Sequence, residues 1–492
     1  MSDRPRTTGD VGAKDREREA KDVWCQKALG ADPRVLAAEI TGRLGTLTRV
    51  SKQLRAVGGS RVSPDPLAAA HSKASRGGAN EQQLAALADV GGKVDATIAA
   101  AQKELKAIGN KAIVAGSIEL INWAIEAIQK MDPGEPKNGL MGELYKCTKI
   151  ESEIDTIKDV DAQQVACQEL EKNTQALMNL TKLLGGKIDT RKAYEEALKK
   201  RYNINISVPS GMKNTHFDKV YEMFARVPVE HTKTSSLKTL AYTDESFAGT
   251  HQFGMYSYGS AKITMGDFGS TTYDNRGYTE PANSFSISTL HEIGHSVDDK
   301  YKIMKAHLGD CGGWQNETVD SVAKAVAGDF MAREGTTVSL PAKEVVSWVK
   351  DALTKGATDV PQDVPQLDGT TKKITKKKVA QYSDKPRTVK DADWASLQAL
   401  LNKCVKMRMT EWPWGKSATV AISNRAYHES YPEEWVSYSV QARQALEVRD
   451  YQWRAPGEWF AEVYAYHWYH EKEAPGSLPA GVKEYLWKDP EK

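Results

Sequence analysis

The sequence predicts a mainly α protein, an antiparallel helical bundle followed by an α+β domain. Three observations predict it. Four apolar stripes at helical spacing lie between residues 81 and 200. Near residue 200 the composition changes: tyrosines and tryptophans cluster, and short β-like runs appear. Further on, two helix-like segments place ligand-type side chains one turn apart, at positions 291 and 295 and at 458 and 462.

At 492 residues the chain exceeds one ordinary domain. Residues 1–22 carry six basic and six acidic side chains and almost no large apolar ones, so a flexible tail is expected there. A helix is expected to start near Val23, and the Gly-, Ser- and Pro-rich stretch 58–80 reads as a loop. Leu84, Leu87, Gly91, Val94, Ile98, Ala101, Leu105 and Ile108 alternate steps of three and four, which makes one packing seam. Residues 111–131 form a broader apolar helix, broken by DPGEPKNG at 132–139. Leu144, Cys147, Ile150, Ile154 and Ile157 mark a third stripe. Leu170, Thr174, Leu177, Thr181 and Leu184 mark a fourth, ended by Gly185-Gly186. Short connections between such helices favour an antiparallel bundle over 23–200. No chemistry is visible in this half, which reads as a delivery or docking module.

The second domain is expected over 201–492. Its strand-like runs include 204–208 and 261–265, and its helices include 284–300 and the segment opened by Ala455-Pro456-Gly457. The run 261–265 is a candidate edge strand for an extended peptide. A large insertion is expected over about 305–445; the Lys-rich run KKITKKKV (372–379) within it reads as a solvated loop or edge strand.

Charge is balanced, 67 basic against 65 acidic residues, which gives no global steering toward nucleic acid. Five scattered cysteines without a C-x-x-C pair argue against a disulfide framework or a cysteine metal site. No apolar h-region opens the chain, so no signal peptide is expected. The longest apolar run, Ile113 to Ile128, is interrupted by Glu119 and Glu126 and reads as too short for stable membrane insertion. A soluble protein is expected, cytoplasmic in the cell that makes it, with any export left to a dedicated secretion or injection machine.

The segment SFSISTLHEIGHSVDDK contains H-E-x-x-H. His291 and His295, one turn apart, can bind one zinc ion from a single helix face. Glu292 lies about 100° around the helix, able to reach a water at the metal without ligating it. Gly294, between the ligands, leaves room for another element. In YQWRAPGEWFAEVYAYHWYH, Glu458 follows a helix-start signal and is the candidate third ligand. Glu462, one turn on, can accept a proton from a ligand imidazole and fix its tautomer. His467 and His470 fall on other faces and read as structural.

These two blocks, HEIGHSVDD and Y-x-x-x-x-x-x-E-x-F-A-E, resemble the catalytic domain of the anthrax lethal factor-like gluzincin metallopeptidases. The resemblance implies a zincin-like metallopeptidase domain with His291, His295 and Glu458 on one catalytic zinc ion, Glu292 as general base and Glu462 behind a ligand. It also implies Tyr451, seven residues before Glu458, as an active-site hydroxyl. It covers these two blocks and leaves residues 1–200 unmatched. The implied activity is endopeptidase cleavage of a protein or peptide substrate by a bacterial toxin or effector. Residues 296–457 separate His295 from Glu458, far more than the compact family spacing, so the family's substrate preference does not transfer. His428, in NRAYHESYPEEW, is a further candidate donor to the transition state, with a structural role as the blander reading. The competing function is a helical scaffold or interaction protein whose zinc site is structural or inactive. An intact Glu292 favours the enzyme, because a structural site has no use for a base beside the metal.

Overall fold

The computed structural model describes residues 81–131, 137–186, 188–207, 214–243, 254–266, 282–334, 337–355, 357–365, 371–379, 381–408, 418–430, 434–446, 448–471 and 483. The expected tail over 1–22, the helix start near Val23 and the loop over 58–80 lie outside them. The protein is mainly helical with small sheets. It divides into two compact units, one holding 81–131 and 143–182, the other 137–142 and 183–471 of the described residues. The expected boundary near residue 200 thus falls earlier, at 183.

In the first unit, the seam and the broader apolar segment run on as one helix, α1 (Glu81–Gln129). Gly109-Asn110, which separates them in the sequence, is taken up inside the helix. α2 (Asn138–Ile154) and α3 (Val160–Leu184) follow. Ile98, Ala101, Leu105 and Ile108 are only half-buried, whereas Ala115, Ile121, Ala124 and Ile128 are buried. Asn110 ties α1 to α3 through Val160 O and Gln163 Oε1, both at 3.2 Å. Continuity also changes the membrane reading: Asp95–Gln129 is long and apolar enough to cross a bilayer by length and composition, with 33% of its most apolar window buried. A packed core helix meets that criterion as readily. Among the described residues, Cys147, Cys167, Cys311 and Cys404 are buried and form no disulfide.

The second unit opens with α4 (Thr190–Tyr202), whose N-cap Asp189 accepts from Arg191 N at 3.0 Å. After β1 (Asn205–Ser207) come α5 (Asn214–Arg226) and the single turn α6 (Val229–Thr232). Tyr194 and Tyr202 on α4 pack against Tyr221, and Tyr202 also against Phe224, on α5. Strands β2 (Thr239–Thr243), β3 (Gly254–Ser257) and β4 (Lys262–Gly266) complete a mixed sheet of order β1-β2-β4-β3. β1, β2 and β4 run parallel, and β3 returns antiparallel along β4. Among the described residues the run 261–265 is therefore interior and the edges are β1 and β3, a correction to the expectation. The four-residue β3 sits in a Gly- and Tyr-rich stretch without alternation, so it left no period-two signal.

Next come α7 (Ser284–Tyr301), α8 (Ile303–His307), β5 (Gln315–Asn316), α9 (Val319–Glu334) and α10 (Ala342–Lys355). The Lys-rich run is a strand, β7 (Thr371–Val379), paired antiparallel with β6 (Ala357–Pro365) in a two-stranded ribbon. α11 (Asp391–Lys406), β8 (Val420–Ile422), β9 (Arg425–Glu429), β10 (Trp435–Ser439) and α12 (Val440–Leu446) follow, with a 3₁₀ turn at Asp450–Trp453 and finally α13 (Pro456–His470). Within the expected insertion, α9, α10 and α11 share an apolar core that includes Val326, Val349 and Leu401. Strands β5-β10-β9-β8 form an antiparallel sheet, and β10 contributes Trp435 to that core.

Candidate metal centre

Two helices build the site. α7 is buried on all sides from Ser284 to Val297, and its small polar residues bond back into the helix: Ser288 Oγ to Ser284 O at 2.7 Å, Thr289 Oγ1 to Phe285 O at 2.9 Å. Its N-cap Asn283 accepts from Ser286 N at 3.1 Å. α13 starts with Pro456 in its first turn, as the sequence signals, and crosses α7 closely. The close approach is at Gly294, where a Cβ would lie 3.0 Å from Ala461 Cα. At the far end Asn283 N donates to Tyr469 Oη at 2.8 Å, so the helices run antiparallel.

This crossing brings the expected ligands together. His291, His295 and Glu458 are buried, with one ligand atom from each within 4.8 Å of the others. His291 Nε2 lies 3.0 Å from Glu458 Oε2, and His295 Nε2 lies 3.5 Å from Glu458 Oε1. The two Nε2 atoms are 3.1 Å apart. Three vertices of a tetrahedron with arms of 2.0–2.1 Å stand about 3.3 Å apart, so these separations suit a zinc-sized ion. Burial alone would lower the His291 pKa, but Glu462 and Glu458 outweigh it and raise it to about 10. Burial alone would likewise raise Glu458, yet His295 and His291 hold it well below the usual carboxylate range. Two imidazole nitrogens and a carboxylate so placed are a donor set that could hold a metal ion.

No family model, no curated protein and no solved structure matches this chain. The site therefore has to be read from its own chemistry. His291 Nδ1 reaches Glu462 Oε1 at 3.0 Å, the contact expected of a carboxylate behind a ligand. Glu462 is fully buried, and Arg449 and His291 hold it below the usual range against its burial. Glu292 is buried next to β3: a Cβ on Gly254 would stand 2.8 Å from its Oε1. The Tyr451 ring lies 5.9 Å from that of His291. His467 and His470 are half-buried on α13 and outside the cluster.

His428 has a different task. It is buried on β9, its Nε2 is 3.1 Å from Arg454 O, and burial lowers its pKa to about 4. A carbonyl partner needs a donor, so neutral His428 carries its proton on Nε2 and pins the turn that bears Tyr451. Trp314 and Tyr438 pack against it, and Trp453 packs against both of them.

Three residues escaped the sequence reading. Tyr258, just after β3, places its hydroxyl 3.3 Å from His295 Nδ1. If Nε2 held a metal, Nδ1–H would donate to that oxygen. Burial of the hydroxyl and the Glu458, Asp298 and Glu292 carboxylates raise the Tyr258 pKa, so it stays a neutral phenol. Arg449 and Arg454 hold their guanidinium carbons 4.8 and 4.6 Å from the Tyr451 ring centroid. They flank it in RDYQWR, a charge pattern visible in the sequence; Tyr258 left no local signal.

Proposed function

We propose that the chain is a zinc-dependent endopeptidase of the lethal factor-like gluzincin type, acting on a protein substrate as a bacterial toxin or effector. The observation that carries the proposal is a buried His-His-Glu cluster with a second carboxylate, Glu292, beside it on the same helix. A bound zinc ion would polarise the scissile carbonyl and acidify a water.

The chain's own groups do the rest. Glu292 takes the proton as the water oxygen attacks the carbonyl carbon, then gives it to the departing amide nitrogen as the C–N bond breaks. The products are a carboxylate and an amine. Tyr451 donates its hydroxyl proton toward the developing oxyanion. β3, the edge strand beside Glu292, offers backbone groups to an extended peptide. Glu462 and Tyr258 hold the two imidazoles in the tautomers that turn Nε2 toward the ion.

The decisive experiment pairs elemental analysis with cleavage of an unstructured protein by the wild type and Glu292→Gln. One zinc per chain in both is expected, with activity about 10²- to 10⁴-fold lower in the variant. Equal turnover would remove Glu292 from the chemistry. A wild type that holds zinc but cleaves nothing in a proteome-wide peptide survey would favour a structural site on an interaction protein.

A further inference from the structure

We infer that Arg449 is a positioning residue that couples the carboxylate behind His291 to the ring of Tyr451. The inference rests on the peptidase reading for the role of Tyr451, though its metal limb stands without it. Arg449 Nη2 contacts Glu462 Oε1, the atom that also faces His291 Nδ1 at 3.0 Å. The Arg449 and Glu462 side chains are 9% and 0% exposed, so the guanidinium charge is taken out of water. Such burial costs several kcal/mol per ion and persists only where partners compensate it. Glu462 compensates along the edge of the guanidinium, and the Tyr451 ring, 4.8 Å from its central carbon, does so over the π system. An ammonium could meet the carboxylate but not present a flat face to the ring at the same time.

The backbone supports the same arrangement. Arg449 O accepts from Gln452 N at 3.2 Å, and Gln452 Oε1 accepts from Val448 N at 2.7 Å, so the main chain is held on both sides of Arg449. Gln452 is fully buried. Arg454, the second cation near the ring, has its carbonyl fixed by His428. Tyr451 therefore takes its place from a guanidinium that is itself set by a group touching a metal ligand. The blander reading is that Arg449 only neutralises Glu462. It predicts that any cation at 449 serves equally well.

The test measures zinc affinity by chelator competition and steady-state kinetics at saturating zinc, on the full chain. Arg449→Met should weaken zinc binding about 10- to 100-fold, and adding Glu462→Gln should cost little more, because both act through one contact. Arg449→Lys keeps the charge and guards against a folding failure of the methionine variant. It should bind zinc nearly as the wild type does, yet lose kcat about tenfold or more with KM little changed. In the background of Tyr451→Phe, Arg449→Lys should cause no further loss of kcat. Wild-type zinc affinity in Arg449→Met, wild-type kcat in Arg449→Lys, or losses that multiply with Tyr451→Phe would each overturn the inference. A wild type that binds zinc without cleaving sinks the peptidase reading alone, and the zinc affinities then decide the coupling of Arg449 to Glu462.

Discussion

At the position of Gly254 the edge strand comes so near the candidate base that a single methyl group would meet its carboxylate. The group in the way is the tip of a flexible side chain, so the fold can accommodate Gly254→Ala by turning Glu292 aside. The expected outcome is a properly folded, zinc-bearing variant with kcat reduced about tenfold or more, since a base moved by an ångström loses its alignment. Unchanged kcat would mean that Glu292 has room to spare. His428 makes a prediction through pH. Its pKa is about 4 in the folded chain against 6.5 when exposed, so below pH 6.5 the unfolded chain binds a proton that the folded one refuses. Stability contributed by this residue is complete above 6.5 and falls by about 3 kcal/mol as pH drops to 4. His428→Gln keeps a donor for Arg454 O without the titration, so its melting temperature should fall less steeply between those pH values. Parallel profiles would exclude His428 as the source. At this scale the sequence was informative where ligand chemistry imposes spacing, as for His291, His295 and Glu458. It was silent on Tyr258, which meets His295 only through the return of β3.

The two helices that carry the ligands were legible because both periodicity and capping speak locally. Pro456 marks the start of α13, and a turn of separation puts each pair of functional groups on one face. What no local rule supplies is their crossing, which depends on Gly294 admitting Ala461 to within contact of the α7 backbone. Gly294→Val should wedge α7 and α13 apart, lowering stability by about 1–3 kcal/mol and weakening zinc binding in the same variant. Thermal melts with and without a chelator would measure both. A variant with normal affinity and an unchanged melting temperature would show that the helices have slack at this point. The misassigned edge strand follows from the same limit. The strand character of the 261–265 run was readable, but its place in the sheet depends on a partner strand four residues long.

Across the whole molecule, the expected insertion is more than an appendage between two motifs. Its α9–α11 region has a core of its own, yet β9 reaches the site through His428, and β10 adds Tyr438 to the packing behind the Tyr451 turn. Long-range supports of this kind join residues far apart in the chain, so composition and periodicity could announce the insertion without revealing its contribution.

The boundary of the unit that carries the candidate metal centre gives the sharpest test at this scale. A division near residue 200 would assign α4 to the bundle, but α4 belongs with the unit that holds the metal centre. Tyr194 and Tyr202 are fully buried against α5, and Tyr194 Oη donates to the buried Asp218. Asp218 also accepts from Asn138 N at 2.9 Å and from Gly139 N at 2.7 Å, so residues 137–142 close the same corner. A protein beginning at residue 203 loses both tyrosines and both backbone donors, which leaves an uncompensated buried carboxylate and a cavity beside α5. It should aggregate or melt far below the full chain. A protein beginning at 183 keeps the tyrosines and loses only the two backbone donors; it should fold, bind zinc and melt modestly lower. Adding residues from 137 onward should restore most of that loss. Equal melting temperatures for the pieces starting at 183 and 203 would place α4 outside the second unit and return the boundary to residue 200.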